Sequence, residues 1–462
     1  MRKPKIGLLP LYLKLYDDTM PEIRPRMVAF YNTITEALRE RKLDVVTSDF
    51  CRVADEFRNA IRHFEEAGAD AIVTLHLAYS PSLESADILA DSRLPLIVLD
   101  TTEAYEFGPQ QAPGELMFNH GIHGVQDLCS VLLRKGKPFQ IEAGHWQYSS
   151  VLDRTAGWAV AAAQASDLKH ARVGLLGDPF PGMGDFAVAF DELENSLGIQ
   201  TVPAHAGAFT ALLPAKDEGM VLDEVKQDFA RFESSGVSSE LHQDTARTGI
   251  AVRRWLEEEK LTAFSFNFMS VNGNYGLPVV PFLEASKAMA RGIGYAGEGD
   301  ILTAALVGML ASWFPETTFT EMFCPDWAGD SIFLSHMGEV NVNLLRPVAR
   351  LKEMDFRWTS AGNPVFASGR LKGGPASIVS IVPVSSSACK LVVTCGEMLD
   401  VNGRDEMDGM VHGWFQPNLS VGEFLELYSK AGGTHHIALT YGTICDDIVR
   451  LGEVLGWQVD II

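Results

Sequence analysis

The chain is short of cysteine pairs, of long apolar runs and of positive charge. Its six cysteines (Cys51, Cys129, Cys324, Cys389, Cys395, Cys445) are scattered, and none forms a CxxC. That argues against zinc ribbons and redox pairs. In a chain of this length it points to reduced core thiols and a cytoplasmic address. No stretch approaches the roughly 18 uninterrupted apolar residues of a membrane span. The opening MRKPKIGLLPLYLKLYDD is basic and then apolar, but Pro10 and Lys14 interrupt it and no small-residue cleavage site follows. It reads as a first buried strand rather than an export signal. Lys and Arg number 38 against 60 Asp and Glu, a formal net charge of -22. That balance argues against a nucleic-acid partner and against an anionic membrane surface. Solubility accounts for most of that acid, and cation binding is its functional reading. Also missing is a GxGxxG after the first strand of either α/β segment, which read GLLPLY and GLLGDPFPGMGD. This argues against a dinucleotide-dependent dehydrogenase.

What is present is a chain of 462 residues, 47% apolar and 21% charged, long enough for two or three domains. The first part alternates strand and helix. KIGLLPLY, LDVVTS, DAIVTLHL and LPLIVLD read as strands, with helices over 26–40, 53–67 and 82–89 between them. Unbroken apolar runs suit parallel strands covered on both faces, and such sheets bind ligands at their carboxyl ends. A second α/β segment starts near Ala171 with ARVGLLGD. It continues through an expected helix over 186–197, the strand GIQTVPA, helices over 221–233 and 240–259, the strand FSFNF and a helix over 283–291. GIGYAGEGD has four glycines in nine residues and must turn tightly. Asp300 then caps the apolar helix ILTAALVGMLASWF. From about Pro315 short β-rich runs dominate: TTFTEMF, SIFLSH, NPVFASGR, ASIVSIVPV and CKLVVTCGE. The expected fold is α/β, with two doubly wound Rossmann-like domains (1–170 and 171–315). A β-rich C-terminal domain, an antiparallel sheet or barrel, follows over 316–462.

Four places hold acids or histidines in unusual surroundings. Glu298 sits in the glycine-rich loop, Glu321 in TFTEMFCPDW, His336 at the end of SIFLSH, and His435-His436 after a double glycine. Two carboxylates and two imidazoles suit a hard or borderline divalent ion such as Mn2+. Each residue has an ordinary alternative: helix-dipole service for Glu298, an edge salt bridge for Glu321, a hydrogen-bonded strand-end role for the histidines. In a strand, His435 and His436 alternate faces, so only one would enter a given site. Tyr12, Phe268 and Trp327 are candidate apolar walls, with core packing as their alternative.

These segments resemble the L-arabinose isomerase and L-fucose isomerase family, and L-arabinose isomerases most. GYAGEGD followed by TAAL is similar to that family's first metal-glutamate loop, TTFTEM to its second, LSHMGE to its first metal-histidine segment and AGGTHH to its second. The resemblance implies Glu298, Glu321, His336 and His436 as metal ligands, with the two glutamates also serving as acid and base. TLHLAYSP, FNHGIHG, GHW and GD fall in matching order along the chain. His123 matches a histidine that reaches a neighbouring subunit's active site. The resemblance further implies a homo-oligomer, a trimer or hexamer with an inter-subunit site. The implied cofactor is a divalent metal, Mn2+ ahead of Mg2+ and Co2+. The implied partner is a free pentose, hexose or deoxysugar, isomerised through a cis-enediol, with His123, His435, Tyr12 and Phe268 as sugar contacts. Two positions depart from the pattern. Pro10-Leu11-Tyr12 stands where a Gln-His pair is usual, and Met322 where an acid usually follows the second glutamate. They leave the sugar open. An epimerase, an isomerase of an unusual sugar on the same fold, or a non-catalytic sugar binder are the alternatives.

Overall fold

Apolar runs with no polar alternation become parallel strands covered on both faces. In the computed structural model, which describes residues 2–271, 275–385, 388–401, 403, 405–407 and 409–462, two compact units form, Met1–Ser166 and Asp167–Ile462. The first unit carries β1 (Lys5–Leu11), β2 (Asp44–Thr47), β3 (Ala71–His76), β4 (Leu96–Asp100) and β5 (Gln140–Ala143). They make one parallel sheet in the order β2-β1-β3-β4-β5. Leu8, Leu9, Val73 and Val98 are fully buried in it.

The second unit begins with β6 (Arg172–Leu176), β7 (Gln200–Pro203), β8 (Ala263–Phe266) and β9 (Gly294–Gly297), a parallel sheet ordered β7-β6-β8-β9. The expected helix over 186–197 is only the short turns Phe190–Glu192 and Leu193–Leu197. Residues 186–189 instead stay irregular, and Phe186 is buried. The helix Ile301–Trp313 is apolar all round, and all but Ser312 of its residues are buried, as an unstriped helix must be.

The remaining strands are β10 (Thr317–Asp326), β11 (Ser331–His336), β12 (Leu345–Glu353), β13 (Val365–Leu371), β14 (Gly374–Ser385), β15 (Ala388–Met398), β16 (Val411–Pro417), β17 (His436–Tyr441) and β18 (Val459–Ile461). They form a mixed, largely antiparallel sheet ordered β12-β13-β16-β11-β10-β17-β14-β15-β18. A further pairing of β15 with β16, through Gly396↔Pro417 to Met398↔Phe415, closes six of these strands into a ring. Closure removes the sheet's open edges there. Ile332, Leu334, Ile378, Val392, Phe415, Ile437 and Leu439 share one core cluster.

The expectation of reduced thiols fails for one pair. Cys395 on β15 is disulfide-bonded to Cys445, the first residue of the helix Cys445–Leu455, while Cys51, Cys129, Cys324 and Cys389 are free. The partners lie 50 residues apart in sequence, so no spacing motif announces them. Among the described residues no helix is long and apolar enough to cross a membrane.

Candidate metal and catalytic centre

Strand β9 ends at Gly297, and Glu298 follows with φ of 62°. A left-handed backbone at a residue with a Cβ costs about 1–3 kcal/mol and persists only where its surroundings hold it. Here the turn is pinned on both sides. The Glu298 N–H donates to the Phe266 carbonyl at 2.9 Å, and its own carbonyl accepts from the Phe180 N–H at 2.8 Å. Gly299, at φ 87°, donates its N–H to Ser265 Oγ at 2.9 Å. The expected tight turn is thus confined to Glu298 and Gly299, after four residues of strand. It brings Glu298 Oε2 to 3.4 Å from His436 Nε2.

Register delivers the second acid. Glu321 on β10 lies directly opposite His436 on β17, and its Oε1 is 2.9 Å from His436 Nε2. Side chains alternate with period two along a strand, so a one-residue slip would turn this pair away. On the other flank of β10, Ser335 of β11 pairs with Glu321, and the next residue, His336, brings Nε2 to 3.7 Å from the same Oε1. Gly297 makes room for that ring: a Cβ there would sit 2.7 Å from His336 Cε1.

Strand alternation predicts that only one of His435 and His436 faces the site. Both do, because β17 starts at His436 and His435 precedes the pleat. His435 Nε2 is 3.7 Å from Glu321 Oε1. Glu298, Glu321, His435 and His436 each offer one ligand atom, all within 4.8 Å of one another. His336 approaches Glu321 but stands outside this tightest group of four.

Each imidazole is held from behind by a carboxylate. The Nδ1–H of His436 donates to Asp300 Oδ2 at 3.0 Å, that of His336 to Glu339 Oε2 at 2.7 Å, and that of His435 to Asp185 Oδ2 at 2.6 Å. This fixes the tautomer and leaves Nε2 facing Glu321, as ligating histidines require. Tyr295, fully buried, donates its hydroxyl to Glu339 Oε1 at 2.6 Å and locks that carboxylate. Asp300 has two tasks, since its Oδ1 also accepts the Thr303 N–H at 2.9 Å and caps the helix Ile301–Trp313. Phe186 stacks on His436 with centroids 5.0 Å apart, and Phe319 meets both His336 and His436 edge-on. Apart from the capping role of Asp300, none of these supporting side chains stands out in the sequence. Asp185 and Phe186 precede His435 by some 250 positions.

Burial by itself would lower the pKa of His436, but the carboxylates of Asp300, Glu298 and Glu321 push it well above the ordinary imidazole value. His336 is likewise raised, since Glu339 and Glu321 outweigh its burial. Burial would raise Glu321, yet His436, His336 and His435 bring it below the usual carboxylate range. The site is therefore a concentrated negative field that recruits positive charge. Among the described residues no Lys or Arg pairs with Glu298 or Glu321; only imidazoles do.

Phe268 is buried and packs on Phe180 and Phe356 at centroid distances of 5.8 and 5.7 Å. Tyr12 and His123 belong to the first unit. Tyr12 is fully buried at the carboxyl end of β1, and His123 is exposed beside Tyr79 and His120. Trp327 is 68% exposed.

Comparison with known proteins bears directly on this centre. An L-arabinose isomerase from Bacillus licheniformis is 23% identical over 425 residues, covering 90% of this chain and 85% of that one. That from Herpetosiphon aurantiacus is 25% identical over 433 residues, with the same two coverages of 90% and 85%. That from Shouchella clausii is 22% identical over 470 residues, covering 99% of this chain and 93% of the relative. Residues 221–313 match the L-arabinose isomerase central domain and residues 316–458 its C-terminal domain, together just over half of the 462 residues. The first match ends with the helix that Asp300 caps, and the second contains Glu321, His336, His435 and His436. On both the centre and the chain around it, the protein belongs to the L-arabinose isomerase family.

Proposed function

We propose that the chain interconverts an open-chain aldose and its ketose with the help of a divalent metal ion. The observation that carries this is the convergence of Glu298, Glu321, His435 and His436 within 4.8 Å, with no Lys or Arg among the described residues to neutralise the acids. A cation fits the residues present. His436 Nε2 is buried between two carboxylate oxygens, at 2.9 and 3.4 Å, without an aligned hydrogen bond to either. A cation there would draw all three atoms into one shell and satisfy them together. Mixed carboxylate and imidazole donors suit Mn2+, with Mg2+ and Co2+ as alternatives. Glu298, Glu321, His336 and His436 would hold the ion, and His435, partly exposed and anchored by Asp185, would face the sugar.

A bound divalent ion supplies Lewis acidity, stabilising negative charge on the two oxygens of the reacting carbons. Glu298 and Glu321 move the protons. One carboxylate takes the C2 proton of the aldose and leaves a cis-enediol. A proton returns to C1 while another passes from O2 to O1, so no oxidant or reductant enters. Asp300, Glu339 and Asp185 orient the imidazoles and keep their Nε2 atoms free. The substrate class is a free pentose, hexose or deoxysugar, and Pro10-Leu11-Tyr12 in place of the usual Gln-His pair leaves its identity open.

The test is turnover on a panel of those sugars with added Mn2+ in deuterated water. Wild type should interconvert one pair and place solvent deuterium at the transferred position. Glu298→Gln and Glu321→Gln should each lose about 10²–10⁴-fold in turnover. Wild-type turnover in both variants overturns the proposal.

A further inference from the structure

We propose that the second unit carries a separate oxyanion site, of phosphate type, between Arg346, Arg350, Arg370 and His412. These side chains line one cavity of about 240 Å³ on strands β12, β13 and β16. None of them belongs to the centre built by Glu298, Glu321 and His436.

The register makes the case. Arg346 of β12 is directly opposite Arg370 of β13, and Arg370 is in turn opposite His412 of β16. A row of three basic side chains therefore crosses three neighbouring strands. Like charges placed directly opposite each other on a sheet destabilise it. This pairing also occurs in a chain with a net charge of -22, where acids are plentiful. Among the described residues lining the cavity, few acids face these cations. Asp405 is the one carboxylate among its described lining residues, and it is shared: Oδ2 accepts from His412 Nε2 at 2.9 Å and from Arg370 at 3.4 Å. Arg350 has partners of its own, Glu233 at 2.9 Å among them. The Arg346 guanidinium donates to the main-chain carbonyls of Asn343 and Leu345, at 3.1 and 2.7 Å, and to no carboxylate among the described residues.

The shape of the charge selects the ligand. A guanidinium is a planar fork that binds oxyanions in pairs of parallel hydrogen bonds. Three guanidinium groups around one cavity outnumber the two oxygens of a carboxylate. A tetrahedral phosphate, free or esterified, has an acceptor oxygen for each of them. His412 is fully buried beneath, with its Nδ1 3.1 Å from the Met410 carbonyl oxygen, so it gives the cavity a fixed floor.

The probe is inorganic phosphate, titrated into the full chain at constant ionic strength against chloride, with a simple phosphomonoester as a second arm. Saturable binding at one site per chain, with a concentration-dependent rise in Tm, is expected. Arg346→Gln with Arg370→Gln should weaken it by about tenfold or more, because each lost charge-assisted hydrogen bond is worth that much. In chloride the double variant should melt no lower than wild type, since it relieves the opposed charges. A merely structural role for the arginines would lower Tm in every buffer. Glu298→Gln should keep the phosphate effect, which separates this site from the metal centre. Tighter binding of the ester supports a phosphorylated metabolite as the occupant, and tighter binding of the free ion supports phosphate itself. Absence of a saturable effect in wild type, or an identical effect in the arginine variant, overturns the proposal.

Discussion

Two buried clusters of acid lie in the second unit, and they are neutralised differently. In one, Glu224, Asp228 and Glu284 meet Arg253, Lys287 and Arg291, three acids against three permanent cations. Arg253 is 2.7 Å from Glu224 and 3.1 Å from Glu284, Lys287 is 2.7 Å from Asp228, and Arg291 pairs with Glu284. His242, fully buried, adds a hydrogen bond to Asp228 at 2.9 Å. In the other, Glu298, Glu321, Asp300, Glu339 and Asp185 gather around three imidazoles, with no Lys or Arg paired to Glu298 or Glu321 among the described residues. A balanced cluster is finished when the chain folds and serves structure. An acid excess facing soft, titratable histidines remains open to an added cation. Burial alone does not separate a structural ion network from a reactive centre; the identity of the counter-charge does.

The largest expected effect sets the two clusters against each other. Glu284→Ala leaves Arg253 and Arg291 without their buried partner. Stripping one member from a buried pair costs about 3–5 kcal/mol, because the other charge stays desolvated. Glu298→Gln removes one of several mutually repelling carboxylates, so in chelator, at a pH where His436 is neutral, it should leave Tm unchanged or raise it. Thermal melts of both variants in EDTA decide the matter. Equal destabilisation would erase the distinction.

Titration should sharpen the contrast, because the two clusters fail at opposite ends of the pH scale. Burial would raise Glu224, but Arg253 and Lys287 override it and lower its pKa from 4.5 to about 2. Its folded value lies below its unfolded one, so its stabilisation is present above about pH 4.5 and drains away towards pH 2. A shift of that size corresponds to about 3 kcal/mol. His336 and His436 are shifted the other way, upward from 6.5. Their stabilisation is complete below pH 6.5 and is lost as pH rises through the folded values. A metal-free chain should therefore show an acid limb from the first cluster and an alkaline limb from the second. Metal binding needs neutral imidazole, so saturating Mn2+ should abolish the alkaline limb and spare the acid one. Melting temperature against pH, with EDTA and with Mn2+, reads both. An alkaline limb that ignores Mn2+ would deny the second cluster its cation.

The sequence carries these clusters unequally. Unbroken apolar runs made the parallel strands legible, and the helix behind Asp300 announced itself by its capping residue. Glu298, Glu321 and His436 stood in short dense segments, and their family resemblance made a site of them. Two supporting carboxylates, Asp300 and Glu339, stand in those same segments, GYAGEGD and LSHMGE, but nothing there marks them as partners of an imidazole. Asp185 lies 250 positions before His435, and only the fold makes it a neighbour. Barrel closure depends on long-range pairings, β10 with β17 and β11 with β16, that no local pattern encodes. Strand β12 was unread because Arg346, Pro347 and Arg350 break its apolar alternation, and those same arginines line the proposed oxyanion site. The helix Val151–Lys169 is rich in alanine and lacks a distinct apolar stripe, so periodicity misses it.

The smallest effect isolates one support. Asp300→Asn keeps an acceptor for the Thr303 N–H, and Asn is as good a helix cap as Asp, so the helix Ile301–Trp313 should hold. What is lost is the negative charge behind the Nδ1–H of His436, 3.0 Å away. Without it the imidazole is less basic and less firmly oriented, and removing such a partner from a ligating histidine costs about 10–100-fold in metal affinity. The expected result, read by competition with a calibrated chelator, is weaker Mn2+ binding, with the metal-free Tm unchanged at alkaline pH and lowered where His436 is protonated. Proton release on metal binding should also fall, because Asp300 is the foremost of the carboxylates that hold a proton on His436. The balanced cluster supplies the control: Asp228→Asn, behind His242, should leave Mn2+ affinity untouched while lowering stability. If the two Asn variants weaken Mn2+ alike, carboxylate support of a histidine is a general feature of this fold and not a mark of the reactive centre.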